Sequence, residues 1–166
     1  MIKAIFAIDA FGGMGLNNKL PWPSCKEDLS WFVKNTKEQT VVMGRKTWES
    51  SDMPSPLPNR RNIVVCKNKY YKAYKADVWT EDWLDRIRKL DSQTKGDVWV
   101  IGGPSLLEQV KPYTSEFYVT RFKSAYRTDV QLNTRTVFEG LRCRTVVPSR
   151  EGNQCSFEVH IPWSNT

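Results

Sequence analysis

An aspartate at the predicted start of a helix is the residue of this sequence best suited to acid chemistry. Ser24 and Glu27 have the spacing of a capping box, so the sequence predicts a helix that begins at about residue 25 and carries Asp28 in its first turn. Residues four apart share a helix face, which puts Phe32 beside Asp28. A flat ligand could therefore contact a carboxylate and an aromatic ring together.

The surroundings of Asp28 decide between two interpretations. A first-turn aspartate often stays in solvent, where its charge complements the helix dipole. Here Trp22, Leu29 and Trp31 supply more apolar surface than a solvated face carries. A carboxylate among such side chains needs a hydrogen-bond partner or has a raised pKa. We therefore expect Asp28 to work as an acid.

A glycine after a predicted buried strand indicates a phosphate site. Gly44 follows the strand predicted at residues 40–43 and would allow close approach of the backbone. The N–H groups of Arg45, Lys46 and Thr47 would begin a short helix, whose positive end favours an anion. The alternative is a surface turn with ordinary basic residues, because the chain has neither a complete P-loop nor a dinucleotide-binding fingerprint.

A second loop repeats this arrangement after the strand predicted at residues 98–101. Gly102 and Gly103 precede Pro104, which is suited to the first position of a helix, so a diphosphate could lie between two helix N-termini. Lys67 follows a third strand, and with Arg45 it could pair with an additional phosphate monoester. NADPH carries that group and NADH lacks it, so these cations favour NADPH.

The elements that position these loops alternate between strands and helices. The sequence predicts strands at residues 2–9, 40–43, 61–66, 76–79, 98–101 and 117–122, a helix over 81–90 capped by Thr80, and a closing hairpin of 141–147 and 155–161 around 148–154. Such alternation is typical of an α/β fold with a mixed, mainly parallel twisted sheet, helices on both faces and a C-terminal antiparallel hairpin. The glycine-rich residues 12–15 would form a mobile lid.

Length and composition limit the classes of protein. The chain has 166 residues and no apolar run near the roughly 18 residues of a membrane span, and its start leads into a strand rather than a signal peptide. We expect one domain over residues 1–166 of a soluble, cytoplasmic protein. Four cysteines without metal-ligand spacing and a single histidine, His160, argue against a zinc site and Ser-His-Asp chemistry.

The net charge of +7 has two interpretations. Tyrosines interleave with lysines between residues 67 and 75, a pattern of either a solvated loop or a weak polyanion patch. Elsewhere the basic residues are scattered, which favours small anionic ligands over nucleic acid.

Five segments carry a specific resemblance. They are Leu-Pro-Trp at 20–22 with Asp28 and Trp-Phe at 31–32, Val-Met-Gly-Arg-Lys-Thr-Trp-Glu-Ser at 42–50, Pro-Leu-Pro-Asn-Arg-Arg-Asn-Ile-Val at 56–64, Val-Ile-Gly-Gly at 100–103 and Phe-Tyr-Val-Thr at 117–120. In order and spacing, over nearly the whole chain, the sequence resembles the dihydrofolate reductases. The resemblance implies NADPH-dependent reduction of 7,8-dihydrofolate to tetrahydrofolate, by hydride transfer to pterin C6 with protonation of N5. It also implies antifolates as inhibitors and a monomer.

The resemblance implies roles for individual residues. Asp28 matches the buried acid that bonds the 2-amino group and N3 of the pterin, and Thr120 matches the threonine that bonds this acid. Trp22 matches the tryptophan that holds an ordered water near the acid, and Arg60 the arginine that pairs with the glutamate tail. Matches to the apolar substrate walls are Ile5, Leu29, Phe32, Leu57 and Ile101. Matches to the cofactor site are Ala7, Met14, Gly44, Arg45, Lys46, Thr47, Cys66, Lys67, Gly102, Gly103, Pro104, Ser105 and Leu106.

Some positions depart from the family pattern. Pro104 occupies a position where a third glycine is frequent, and Cys66 replaces a common serine. Leu107 stands where many members have a tyrosine near the nicotinamide. These differences bear on cofactor positioning and rate rather than on the reaction.

Two other functions stay open at this point. One is a pyrimidine reductase of riboflavin biosynthesis, which shares the fold and the NADPH site but needs neither Asp28 nor Arg60. The other is a non-enzymatic polyanion-binding or assembly protein that has kept the fold, since fold alone does not fix function. Steep salt-dependent DNA binding without NADPH turnover would indicate the latter.

Overall fold

An eight-stranded sheet forms the centre of the computed structural model, which describes residues 1–148 and 154–163. The strands are β1 (Ile2–Ile8), β2 (Gly13–Gly15), β3 (Thr40–Gly44), β4 (Arg61–Val65), β5 (Asp77–Trp79), β6 (Val98–Gly102), β7 (Glu116–Phe122), β8 (Val130–Gln131), β9 (Leu141–Val147) and β10 (Cys155–Pro162). The helices are α1 (Lys26–Thr36), α2 (Arg45–Trp48), α3 (Trp83–Gln93), α4 (Pro104–Val110) and α5 (Thr134–Phe138), with a 3₁₀ turn at Lys111–Tyr113. The turn predicted around residues 148–154 lies largely outside the described residues.

The large sheet has the order β5-β4-β3-β6-β1-β7-β10-β9. In this order, every two neighbouring strands from β5 through to β7 are parallel. Strand β10 runs antiparallel to both of its neighbours, β7 and β9. The predicted mixed, mainly parallel sheet with a C-terminal antiparallel hairpin is therefore confirmed. Because the parallel strands share one direction, the carboxyl ends of β3, β6, β1 and β7 meet at one edge, where ligands collect in open sheets.

Helices cover both faces of this sheet, as predicted. On one face Ile87 of α3, Leu107 of α4 and Val137 of α5 are fully buried in one apolar core cluster. On the other face Trp48 of α2 is buried and Trp31 of α1 is partly buried in a second cluster. The sheet thus separates two cores, and α1 with its aspartate belongs to the second one.

The start of α1 differs from the prediction. The helix begins at Lys26, within one residue of expectation, but its N-cap is Cys25 and no side chain caps it. Ser24 precedes the N-cap by one residue, so its hydroxyl is not at the position that receives the first free N–H groups. The predicted capping box of Ser24 and Glu27 is therefore wrong.

The start of α3 also differs. The sequence predicts a helix from residue 81 capped by Thr80, but α3 begins at Trp83 and its N-cap is Asp82. Asp82 has a left-handed backbone with φ of 54°, which cannot continue a right-handed helix. The helix therefore begins two residues later than the sequence spacing predicts.

The four cysteines are all free thiols. Among residues 1–148 and 154–163, none of the helices combines the length and the apolar character needed to cross a bilayer.

Candidate functional site

The carboxyl group of Asp28 lies in the first turn of α1, next to β7. Thr120 of β7 donates a hydrogen bond from Oγ1 to Oδ1 of Asp28 over 2.7 Å. Burial raises the pKa of Asp28 above its ordinary value, and the hydrogen bond from Thr120 opposes the rise without cancelling it. This carboxyl group therefore favours its protonated form more than a solvent-exposed aspartate does.

Strand pairing and helix packing hold these two side chains together. Thr120 sits between Ala7 of β1 and Phe157 of β10 in the register of the sheet. Trp31 of α1 stacks on Phe157 with ring centroids 4.7 Å apart. Trp31 and Asp28 are three residues apart and share a helix face. The contact that anchors α1 to the sheet thus also positions Asp28 beside Thr120.

Trp22 precedes α1 and is only 5% exposed. Its ring stacks on Phe122 with centroids 4.2 Å apart and meets Tyr126 edge-on. Its Nε1 is buried and donates to no partner among the described residues. Buried N–H groups nearly always have partners, so this indole is a donor that a ligand or water could satisfy.

Four of the five predicted apolar wall residues lie in the core cluster on the α1 face. Ile5 and Leu57 are buried in this cluster, and Phe32 and Ile101 pack against it with part of their surface exposed. Leu29 lies outside it and is 50% exposed. Phe32 offers apolar surface on the same face of α1 as the carboxyl group of Asp28, as a site for a flat, largely apolar ligand requires.

Arg60 is a half-buried cation close to the same helix. Its Nη1 donates to Oγ1 of Thr36 and its Nε to the carbonyl of Pro58, both over 3.0 Å. Its guanidinium carbon lies 5.7 Å from the ring centroid of Phe32. Burial lowers the pKa of Arg60, although a guanidinium stays charged at any physiological pH. No described carboxylate forms an ion pair with it, which leaves its charge available to an anionic ligand.

The two predicted glycine loops lie against each other, because β3 and β6 are neighbours. A Cβ atom at Gly44 would stand 3.8 Å from the nitrogen of Gly103 and 3.9 Å from the oxygen of Gly102. Gly102 has φ of +129°, which side-chain-bearing residues rarely adopt, and a Cβ there would lie 3.5 Å from Oγ1 of Thr47. The backbones of the two loops therefore lie close together and form one surface, where side chains in place of the glycines would occupy the free space. A diphosphate could bind to such an uncovered backbone surface.

The predicted phosphate cations are present beside these loops, but one of them already has partners. Arg45, Lys46 and Lys67 are exposed. Nε of Arg45 pairs with Glu49 over 3.2 Å, and its guanidinium carbon lies 4.7 Å from the ring centroid of Tyr71. The hydroxyl of Tyr71 in turn donates to Glu49 over 2.7 Å. Neither partner of Arg45 is among the residues predicted from the sequence, although the four-residue spacing of Arg45 and Glu49 is typical of an ion pair on one helix face.

The other predicted cofactor residues lie on several elements of the fold. They are Ala7 in β1, Met14 in β2, Cys66 after β4, and Pro104, Ser105 and Leu106 in the first turn of α4. Pro104 occupies the first helical position, as predicted. Leu107, which departs from the family pattern, is fully buried in the core on the α4 face. A leucine there extends the core and supplies no hydroxyl.

Asp9 organises the glycine-rich segment and was missed by the sequence analysis. It is 1% exposed and accepts hydrogen bonds from the N–H groups of Phe11, Gly13 and Tyr126 over 2.8–2.9 Å. Burial alone would raise the pKa of Asp9, but these three bonds outweigh it and lower the pKa. The segment also pairs through Gly13 with Gln131 of β8. An aspartate before a glycine turn was the available signal. The mobility of this segment stays a prediction.

Comparison with known proteins gives consistent matches. The family described as dihydrofolate reductase matches residues 1–158. The dihydrofolate reductase of Bacillus subtilis (strain 168) is 35% identical over 131 residues, covering 78% of this chain and 73% of that relative. The type 9 dihydrofolate reductase of Escherichia coli is 29% identical, covering 99% and 93%. A solved structure of dihydrofolate reductase from Enterococcus faecalis, complexed with NADP(H) and RAB-propyl, matches with a TM-score of 0.86 at 26% identity, covering 98% of this chain and 96% of that one.

Proposed function

This chain belongs to the dihydrofolate reductase family, and on that premise we propose that Asp28 is the acid of its reaction. The enzyme reduces 7,8-dihydrofolate to 5,6,7,8-tetrahydrofolate with NADPH, an oxidoreductase step in folate and nucleotide metabolism. The observation that carries the proposal for Asp28 is its hydrogen bond with Thr120 in a site where burial raises the pKa of the acid.

The two oxygens of Asp28 differ in their hydrogen bonds. Thr120 donates to Oδ1, whereas Oδ2 receives no hydrogen bond from the described residues. The carboxyl group bonds the 2-amino group and N3 of the pterin and so orients the ring. Because its pKa is raised, it stays protonated to a higher pH than an exposed aspartate and promotes protonation of N5. The free indole N–H of Trp22 would hold a water near this group.

The remaining substrate residues place the rest of the molecule. Apolar side chains exclude water from the pterin and the aminobenzoyl ring, which strengthens the electrostatic interactions of Asp28. These walls are Ile5, Leu29, Phe32, Leu57 and Ile101. Arg60, held by Thr36 and lacking a described counter-ion, pairs with the carboxylate of the glutamate tail. A half-buried cation gains a partner there that the free protein does not offer it.

The cofactor residues fit NADPH by the character of the two glycine loops. When bound, NADPH supplies the hydride that pterin C6 accepts. The exposed backbone of Gly44, Gly102 and Gly103 would hold the diphosphate, and Arg45 with Lys67 would pair with the additional phosphate monoester. The other proposed contacts are Ala7, Met14, Lys46, Thr47, Cys66, Pro104, Ser105 and Leu106. The glycine-rich segment, which Asp9 holds in place, would exclude water from the space between cofactor and substrate.

We further propose that the protein is a cytoplasmic monomer, with one domain over residues 1–166, and that antifolates inhibit it. Nucleic acid is not among the proposed partners, because the basic residues are scattered along the chain. Light scattering on the purified protein would give the oligomeric state.

The decisive assay follows the loss of NADPH absorbance when dihydrofolate is added to the purified protein. We expect turnover with NADPH, much slower turnover with NADH, and inhibition by methotrexate. Asp28→Asn should abolish most of the turnover and keep NADPH binding. Glu27→Gln is the matched control, because it neutralises the neighbouring acid of the same helical turn. Turnover of a riboflavin precursor in place of dihydrofolate, by a folded protein that binds NADPH, would contradict the proposal.

A further inference from the structure

Three potential metal ligands meet on the C-terminal hairpin, outside the folate site. They are Cys143 of β9 and Glu158 and His160 of β10, and one donor atom of each, sulfur, oxygen and nitrogen, lies within 4.8 Å of the others. We propose that these three side chains bind a zinc ion. The proposal is independent of the folate reaction and of the residues assigned to it.

Strand pairing creates this group. His160 stands directly opposite Cys143 in the antiparallel register of β9 and β10, with a bulge between Val159 and His160. Glu158 is two residues before His160, so both side chains lie on one face of the strand. The sequence spacing carries no zinc signature because two of the ligands meet only across the pair of strands. For this reason the sequence alone argues against a zinc site, whereas the folded hairpin brings three ligands together.

The group faces away from the acid. The alternate residues of β10, such as Phe157, are buried against Trp31 of α1 on the opposite face. The ring of His160 instead packs on Phe138 of α5, with centroids 4.8 Å apart. The imidazole is therefore oriented by an aromatic contact, and a metal on this side of the hairpin does not touch Asp28.

The donor set is one that zinc prefers. Zinc takes imidazole nitrogen, thiolate sulfur and carboxylate oxygen in tetrahedral sites, with donors roughly 3.3–3.8 Å apart. Nε2 of His160 and Oε1 of Glu158 are hydrogen-bonded over 2.8 Å, so this bond must break and the two atoms must separate by somewhat less than about 1 Å to admit the ion. The imidazole then binds through an unprotonated Nε2 and carries its single ring proton on Nδ1. Cys143 is exposed, so its side chain can turn inward without disturbing the core. Water would take the fourth position.

The charges around the group are compatible with a bound dication. Glu158 contacts two possible hydrogen-bond donors, His160 and Arg121, so its carboxylate already lies in a polar environment. The Cys143 thiol releases its proton to solvent when the zinc–sulfur bond forms. The neighbouring cation is Arg121, which donates to Glu158 over 3.2–3.3 Å. Carboxylate and thiolate together neutralise the zinc charge, and Arg121 can keep one carboxylate oxygen.

Zinc in this position would fasten the edge of the sheet. β9 is the last strand in the order, and within the described residues it pairs only with β10. A metal that joins Cys143 to His160 adds a cross-link between these two strands. Since zinc would bind the folded chain, it should raise the melting temperature by about 5–10 °C at a concentration a hundredfold above its dissociation constant.

The test titrates the full-length, reduced protein with zinc sulfate in competition with a chromophoric chelator. We expect one zinc per chain. Cobalt(II) at the same site should give tetrahedral d–d bands and a thiolate charge-transfer band. The signals of His160, the single histidine of the chain, should shift in the proton NMR spectrum on zinc addition. Absence of binding at micromolar zinc, or cobalt spectra without a thiolate band, would overturn the proposal.

Variants separate this site from adventitious binding. Cys143→Ser should weaken zinc binding by at least about 100-fold. Removal of a group that only orients a metal ligand already costs up to about 100-fold, and Cys143 would be a ligand itself. Cys66→Ala is the matched control, because it removes a thiol remote from the hairpin and should leave zinc affinity unchanged. His160→Gln should match Cys143→Ser. Equal zinc affinity in Cys143→Ser and the parent protein would overturn the assignment. Cys143 is exposed, so misfolding is not expected to obscure the result.

Discussion

The two sides of the proposed folate site hold their charges in opposite ways. On the substrate side, Asp28 and Arg60 are partly or largely buried, and neither forms an ion pair with a described residue. On the cofactor side, Arg45 and Lys67 are exposed, and Arg45 is already paired with Glu49. Burial sets the charge state and the strength of contacts on the first side, whereas solvent screens them on the second. Single substitutions should therefore have large effects on the substrate side and small ones on the cofactor side.

The largest effect is expected from Asp28→Asn. Asparagine keeps the shape of the side chain but cannot supply a proton, so kcat with dihydrofolate should fall by about 10²–10⁴-fold. The dissociation constant of NADPH, measured by fluorescence, should stay unchanged because the cofactor side is intact. An equal loss of kcat in Glu27→Gln would mean that the helix start, and not the acid, matters.

Arg60→Gln should come next. It removes the charge-assisted contact that we propose for the glutamate tail, so KM for dihydrofolate should rise about 10–100-fold with little change in kcat. The sharpest control is 7,8-dihydropteroate, which lacks the glutamate tail. If KM for dihydropteroate rose by the same factor, Arg60 would be acting through the fold rather than through the tail.

A backbone substitution on the cofactor side is expected to have an intermediate effect. Gly102→Ala forces a side chain onto a backbone with φ of +129°, which costs of order 1–3 kcal/mol, and NADPH affinity should fall by about tenfold. Gly140→Ala is the matched control, because Gly140 also has a positive φ of +75° but has nothing within 4 Å of its Cβ position. Equal loss of NADPH affinity in both variants would show that general strain is the cause.

The smallest effects should come from the exposed ion pair. Arg45→Gln should lower the preference for NADPH over NADH by only a few-fold, and more at low salt than at high salt. Glu49→Gln should change the same preference in the opposite direction, because it frees the guanidinium for the phosphate. A change of the same sign in both variants, in the ratio of kcat/KM for the two cofactors, would contradict this assignment.

Local patterns in the sequence predicted the parts of the fold that depend on local physics. The apolar runs at residues 40–43 and 98–101 became β3 and β6, and Pro104 took the first position of α4. Local patterns gave the wrong start or cap for two helices, α1 and α3. Ser24 stands one residue before the N-cap, and the left-handed Asp82 delays α3.

The site was predictable only in part, because much of it is assembled across the sheet. No spacing rule joins Asp28 to Thr120; their pairing came from the family resemblance, and the geometry agrees with it. The bond from the N–H of Tyr126 to Asp9 and the contact of Tyr71 with Glu49 join residues that are far apart in the sequence. Such contacts follow from tertiary packing, which residue spacing does not encode.

The role proposed for Asp28 depends on burial, which raises its pKa although the hydrogen bond from Thr120 opposes the rise. A carbon-13 NMR titration of the Asp28 carboxyl group, assigned with Asp28→Asn, tests it most directly. We expect a pKa above the ordinary value of about 3.9, a further rise in Thr120→Val because the opposing hydrogen bond is lost, and a kcat/KM that falls as pH rises through that pKa. A pKa at or below the ordinary value, unchanged in Thr120→Val, would contradict it.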